Sequence, residues 1–501
     1  VDPDSTRLHQ LGYAQELRRT MSGFSNFAVS FTIISILSGC LTLYGFGLDT
    51  GGPAAMIWGW PLVGVFVVLV GLGMAEVCSS YPTAGGLYYW AAKLAPRRSA
   101  AAWSWFTGWF NLIGQVAVTA GIDFGAALFL NAFLDLQFGF AATPGHTILL
   151  LAIILVVHGL LNTFGVRLVA VLNNVSVWWH LTGVLVIVGV LVFVPDRHQS
   201  ASFVFGHFVN NTGWGFAPYV FALGLLVAQY TLTGYDASAH MTEETKNAAT
   251  AGPRGIVNSI LVSLVAGWIL LLGLTFAIQD YDGAVNTATG VPPAQIFLDA
   301  AGATTGKFLL LIAIGAQLFC GMASVTANSR MIYAFARDGA IPGSRVWHRI
   351  NKRTRTPTNS VWLSATGALI LALPYLWSAT AYAAVTSIAT VGLYVAYVIP
   401  VFLRVRKGAE FERGPWHLGR WGRPVGAVAT AWVVVIFVLF LLPQSYPVTV
   451  STFNYTPIAF LVVLGGAAVW WFASARKWFT GPKVQGTAAE LEAVERDLRA
   501  V

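Results

Sequence analysis

The segment Thr231–Asn247, TLTGYDASAHMTEETKN, places Asp236, His240 and Glu244 four residues apart, on one helical ridge. Other apolar stretches carry similar polar stripes. Asn111, Gln115, Thr119 and Asp123 repeat every four residues. Asn173, Ser176 and His180 follow i, i+3, i+7, and Gln317, Gly321, Ser324 and Asn328 follow i, i+4, i+7, i+11. Such residues can relay protons or hold a zwitterion. A buried histidine titrates close enough to neutrality to carry a proton, which makes His180 a coupling candidate. The competing reading is a neutral histidine bonded to a neighbouring helix, since buried polar groups commonly satisfy one another. His158 reads as structural, and Glu76, Glu243 and Glu244 as caps or gate contacts. Nothing looks enzymatic: no HExxH, CxxC or phosphate loop is present, and no Ser/His/Asp arrangement converges. Cys40, Cys78 and Cys320 fit no metal or disulfide pattern. No metal or other cofactor is expected.

The elements that hold these residues are membrane helices. The 501-residue chain is 56% hydrophobic and 10% charged, with mean hydropathy +0.67, against about 25% charged residues in soluble proteins. Twelve low-charge runs reach spanning length: about 24–47, 54–77, 101–134, 146–165, 168–194, 215–242, 255–279, 306–336, 358–377, 380–404, 424–443 and 456–475. With a cytoplasmic N-terminus, Arg197 and Lys307 alone among 29 Lys and Arg fall outside. This positive-inside pattern explains the net charge of +8 without nucleic acid. It predicts a multi-pass protein of the plasma membrane, its lipid-facing helices in the bilayer and both termini cytoplasmic. The opening residues are polar, and the first apolar run is too long for a secretory leader. Residues 477–501 form a charged tail in which TAAELEAVERDLRAV has the makings of a short amphipathic helix.

Two spans contain mid-helix interruptions. The first reads SILSGCLTLYG (Ser35–Gly45) and the sixth TLTGYD (Thr231–Asp236). Gly39 and Gly234 weaken the helix, and Ser38 and Thr233 compete with its hydrogen bonds. Non-helical backbone at membrane depth survives only where it is buried or lines a cavity. The breaks lie five helices apart, so they occupy matching places in two five-helix halves. Paired breaks point to a transporter's binding site, although either alone also reads as ordinary glycine packing. The start of a helix's second half attracts an anion and the end of its first half a cation. The amides of Ser38, Gly39, Cys40 and Leu41 are therefore expected to receive a carboxylate. The carbonyls near Gln229, Tyr230 and Thr231 are expected to receive an ammonium. Asp123 and Asp236, costly within a span, require partners. A channel is a further possibility, but matched breaks fit alternating access better than an open pore.

Four stretches resemble the amino acid–polyamine–organocation superfamily, in particular its amino acid/choline branch with the GABA permeases. They are EVCSSYPTAGGLYYW (Glu76–Trp90), GYDASAHMTEETKNA (Gly234–Ala248), SRMIYAFARDGAIP (Ser329–Pro342) and FERGPWHLGRWGRPV (Phe411–Val425). The resemblance implies an all-α membrane fold of twelve helices: a leucine-transporter-like five-plus-five inverted repeat and two C-terminal helices. The implied layout is an arm (1–22), first repeat (23–200), second repeat (201–408), linker with two helices (409–476) and tail (477–501). It also implies solute held between the broken first and sixth spans. Tyr230 matches the family's aromatic gate, Asp236 a position just after the unwound stretch, and His180 a lysine of proton-coupled relatives. Protonated His180 would replace a sodium ion between spans one, five and eight, with Ser324 and Asn328 nearby. Where relatives read G-x-x-x-G-x-G, this chain has Ser35, Gly39 and Leu41. The implied function is import of an amino acid or GABA-like zwitterion, with protons rather than sodium. Choline or another quaternary amine is the alternative substrate, and a non-transporting nutrient sensor the alternative class.

Overall fold

A computed structural model describes residues 2–378, 380–484 and 486–499. Among these residues eleven helices are long and apolar enough to cross a membrane. They are Gly23–Thr42, Gly52–Ser80, Ala100–Phe138, Pro144–Phe164, Arg167–Phe193, Ala248–Phe276, Pro292–Arg337, Thr358–Leu376, Ala381–Glu410, Gly419–Leu441 and Thr456–Ala473. The expected sixth span is present in pieces: Ala217–Thr231, a non-helical turn, then Ala237–His240. The expected eighth span begins beyond a kink at Gly302, whose φ of 77° lies outside the helical region.

Burial sorts the helices into a centre and a rim. The first, third and tenth spans have 83%, 78% and 78% of their apolar windows buried, the last two only 33% and 22%. Leu185, Phe193, Leu461 and Val462 stay exposed on rim helices, as expected of side chains that meet lipid tails. The polar stripes face inward: Asn111, Gln115, Thr119, Asp123, Ser176 and His180 are all buried. The C-terminal tail forms a helix, Ala488–Arg499.

Residues 1–22, expected as a polar arm, contain Leu8, Leu11, Tyr13 and Leu17, all buried. The arm packs beneath the bundle because these apolar side chains anchor it and its polar groups find partners there. Gln15 donates to the Glu243 carbonyl at 2.7 Å, Arg19 to that of Thr245 at 2.7 Å, and Met21 N–H to that of Glu244 at 2.9 Å. The tail reaches the same end: Glu495 accepts from Gln15 N–H at 2.8 Å, and Lys483 N–H donates to Asp338 at 2.9 Å. Three buried ion pairs brace this end. They are Glu76–Arg404 (2.8 Å), Glu244–Arg330 (2.9 Å) and Glu243–Arg337 (3.3 Å).

Candidate functional site

The first span breaks at Ser35, between helices Gly23–Ile34 and Ile36–Thr42. Ser35 has φ 35° and ψ 83°, a left-handed conformation that a side chain makes costly. Ser38 and Gly39 N–H both turn back onto the Ser35 carbonyl, at 2.8 and 3.0 Å. Cys40 and Leu41 lie inside the second helix. The expected row of four bare amides is therefore corrected: the break sits one turn earlier, and Ile36 and Leu37 carry the amides without helical acceptors.

In the sixth span the helix stops at Thr231 and restarts at Ala237. Gly234, at φ 89°, makes the turn. The freed backbone is capped locally. Thr233 Oγ1 donates to the Tyr230 carbonyl at 2.7 Å, Gly234 N–H donates to Tyr397 Oη at 3.1 Å, and Tyr394 donates to the Leu232 carbonyl. The two tyrosines come from the tenth span and were not singled out from sequence. Their signal was two phenols three residues apart in an apolar helix, each needing a buried partner.

The two interruptions touch. A Cβ built on Gly39 would lie 2.4 Å from Thr231 Oγ1 and 2.8 Å from its Cα; one on Gly234 would lie 2.3 Å from Ile33 Cγ2. Only hydrogen fits at either place. Between them lies a cavity lined by Ile33, Ile34, Ser38, Gly39, Val118, Ile122, Tyr230, Thr231 and Thr233. At about 10 Å³ it has room for about one water molecule. The breaks pack directly against each other, with no larger space between them among the described residues. Tyr230 Oη at this wall has no hydrogen-bond partner among the described residues.

The remaining predicted residues form two neighbouring networks. Asp236 Oδ1 accepts from Tyr397 at 2.7 Å, and Oδ2 from Gln115 at 2.6 Å, with His240 Nε2 3.2 Å away. Asn111 Nδ2 lies 3.3 Å from that same histidine nitrogen, and His240 Nδ1 faces the Ala84 carbonyl at 2.9 Å. Asp236 thus has the partners its burial demands. Asp123 has its own in His158, at 3.2 Å, and the pair fits only because Gly321 opposite has no side chain. Gln229 accepts from Trp432 at 3.2 Å; Gln229, Cys40, Leu41, Asn111, Gln115 and Asp236 do not line the cavity.

His180 reaches the first-span break. Its Nε2 lies 2.7 Å from Ser35 Oγ, while Nδ1 faces the Ser176 carbonyl at 2.8 Å. A carbonyl only accepts, so Nδ1 carries hydrogen. A neutral ring then accepts the Ser35 proton at Nε2, and an imidazolium donates there instead. The serine hydroxyl serves both states. Thr32 bonds Ser176 Oγ at 2.9 Å and completes the link between spans one and five. Ser324 and Asn328 make no hydrogen bond to His180 among the described residues. Ser324 pairs with Thr119 at 2.8 Å, and Asn328 donates to the Gln115 carbonyl at 3.1 Å and to Ser364 at 2.7 Å. The eighth span turns this stripe toward span three. Gln317 and Cys320 face the broken first span instead, reaching the carbonyls of Leu37 and Ile33 at 3.4 and 3.2 Å.

Comparison with known proteins agrees with this architecture. Residues 21–464 match the amino acid permease family. The chain is 46% identical to the amino-acid permease BAT1 of Arabidopsis thaliana, and 48% identical to its homolog in Oryza sativa subsp. japonica. Each alignment covers 96% of both chains. Amino-acid permease 2 of Neurospora crassa is 32% identical, over 95% of this chain and 88% of its own. A helical membrane bundle with two interrupted spans facing each other, matched along most of its length, belongs to the amino acid permease family of the amino acid–polyamine–organocation superfamily.

Proposed function

We propose that this permease imports an amino acid or GABA-like zwitterion together with protons, by alternating access between the two interrupted spans. The observation that carries the reading is the seam at Gly39 and Thr231, where the helices flanking the two breaks meet beside a small buried cavity. On opening, the amides of Ile36 and Leu37 receive a carboxylate and the carbonyls ending the first half of span six receive an ammonium. Tyr230 closes over the solute. His180 carries the coupling proton, supported by its contact with Ser35 at the break.

Gln15 and Glu495 meet at one end of the bundle, which supports an even number of crossings. Eleven long helices plus the interrupted segment favour twelve spans, in two five-span repeats and a final pair. The Lys and Arg pattern argues that this end is cytoplasmic; the plasma membrane is the membrane we propose for an importer. Choline is the weaker reading: among the described residues Tyr230 is the sole aromatic on the cavity wall, which offers little cation–π surface.

Uptake into proteoliposomes, with and without a pH gradient, against amino acids, GABA and choline tests the proposal. Accumulation of a zwitterion driven by an inward proton gradient is expected. Uptake of choline alone, or accumulation that follows sodium, overturns it. Binding without counterflow would mark a sensor instead.

A further inference from the structure

A second, much larger cavity of about 810 Å³ opens at the end of the bundle that carries the termini. Its wall is built by the N-terminal arm, the junction of spans four and five, the inner end of span six, span eight and the loop before span nine. Among the described residues, five arginines line it (Arg18, Arg167, Arg330, Arg353 and Arg355) and a single carboxylate, Glu244. Glu244 is already engaged by Arg330 at 2.9 Å. Arg18, Arg167 and Arg353 are exposed and make no ion pair or side-chain hydrogen bond among the described residues. Arg355 is tied back to the arm through the Glu16 carbonyl at 2.6 Å. The wall therefore carries a surplus of guanidinium groups, converging from three separate segments.

The rim has a different character. Phe164 and Leu168 flank the opening and are 71% and 49% exposed. Leu168 continues into Val171 and Val175 along the outward face of span five, also exposed. This is the face that meets acyl chains. In the same cavity Asn173 is 4% exposed, and its Oδ1 lacks a hydrogen-bond partner among the described residues. An amide oxygen there accepts from a hydroxyl or ammonium donor.

We propose that this cavity holds the headgroup of an anionic phospholipid, with its phosphate between Arg18, Arg167 and Arg353 and its chains lying along Leu168, Val171 and Val175. Guanidinium groups clasp phosphate oxygens in forked hydrogen bonds, and basic pockets between helices at a membrane's inner face suit such headgroups. The unpartnered Asn173 oxygen selects a headgroup bearing hydroxyls, as in phosphatidylglycerol. A soluble anion would use the arginines but leave the apolar rim without purpose.

Native mass spectrometry of the full-length protein in detergent, with added phosphatidylglycerol, phosphatidic acid or phosphatidylcholine, tests this. The expected result is adducts of phosphatidylglycerol at least tenfold more persistent than those of phosphatidylcholine. The variant R18A/R167A/R353A should lose that preference, while R420A/R423A, which removes two charges from the start of span eleven, should keep it. N173A should lower binding of phosphatidylglycerol but not of phosphatidic acid. Unchanged phosphatidylglycerol binding by the triple variant overturns the proposal. So does its displacement by free glycerol phosphate or by an amino acid at millimolar concentration, which would assign the cavity to a soluble anion.

Discussion

His180 Nε2 lies 2.7 Å from the hydroxyl of Ser35, the residue at which the first span leaves its helix. The ring's protonation is thereby joined to the shape of the break, because the hydroxyl must reverse its role when the ring gains a proton. The His180→Ala variant should retain solute exchange between liposome compartments but lose accumulation above equilibrium when a pH gradient is imposed. Undiminished pH-driven accumulation by this variant would remove His180 from the coupling step.

Ser35 itself should be sensitive for two separable reasons. Ser35→Ala leaves Nε2 buried without a partner, at a cost of about 1–3 kcal/mol. Ser35→Gly loses the same bond but relieves a left-handed strain of about 1–2 kcal/mol. The glycine variant should therefore unfold at a higher temperature than the alanine variant in thermal melts, with both below the parent. The reverse order would mean that the backbone there is not strained.

Gly39→Ala places a methyl group within 2.4 Å of Thr231 Oγ1 and 2.8 Å of its Cα. Shortening the threonine cannot relieve a clash with its backbone, so the seam must spread. Uptake should fall by at least tenfold while the protein still elutes as a folded species on size exclusion. Normal uptake by Gly39→Ala would show that the two breaks need not touch.

Glu76 and Arg404 form a buried pair, and Arg404 also stacks over the Phe411 ring at 4.3 Å. Removing one partner strands a buried charge and costs about 3–5 kcal/mol. Arg404→Met should lower the melting temperature sharply, and the double variant Glu76→Gln with Arg404→Met should recover part of the loss. A double variant as unstable as the single one would deny that the stranded charge is the cause.

Asp338, just beyond the eighth span, is buried, and burial raises its carboxyl above the usual range, opposed chiefly by the neighbouring Arg337 guanidinium. The folded protein then binds the Asp338 proton more tightly than the unfolded chain does. Its contribution to stability falls as pH rises from the ordinary carboxylate value through the raised one, and is constant above that. Asp338→Asn keeps an acceptor for Tyr88, which donates at 2.7 Å, and for Tyr13. It should flatten the melting-temperature profile on the acidic side of neutrality. A profile identical to the parent's would place the slope elsewhere.

Much of this arrangement was legible in the residues. Helical spans follow from long apolar runs, and their limits lie within a few residues of the expected ones for most helices. Polar stripes had to face inward because lipid cannot solvate them. The paired breaks were visible because Gly39 and Gly234 stood with hydroxyl residues in mid-span. The exact break at Ser35 was not, since serine is a poor marker of positive φ. Gly39 was noticed for the wrong reason: it permits contact rather than interruption. The rotation of the eighth span was also hidden. Periodicity groups Ser324 and Asn328 on one face but cannot say which neighbour that face meets. The buried arm escaped because its four anchoring side chains are diluted by charged residues.

The ribbon beneath the bundle also has a mechanical consequence. Gln15, Arg19 and Met21 grip consecutive carbonyls at the foot of the sixth rod, while Glu495 fastens the far end of the chain to the same ribbon. Any tilt of that rod must either break these clasps or carry the ribbon with it, so probes on residues 15–21 or at Glu495 would register the tilt.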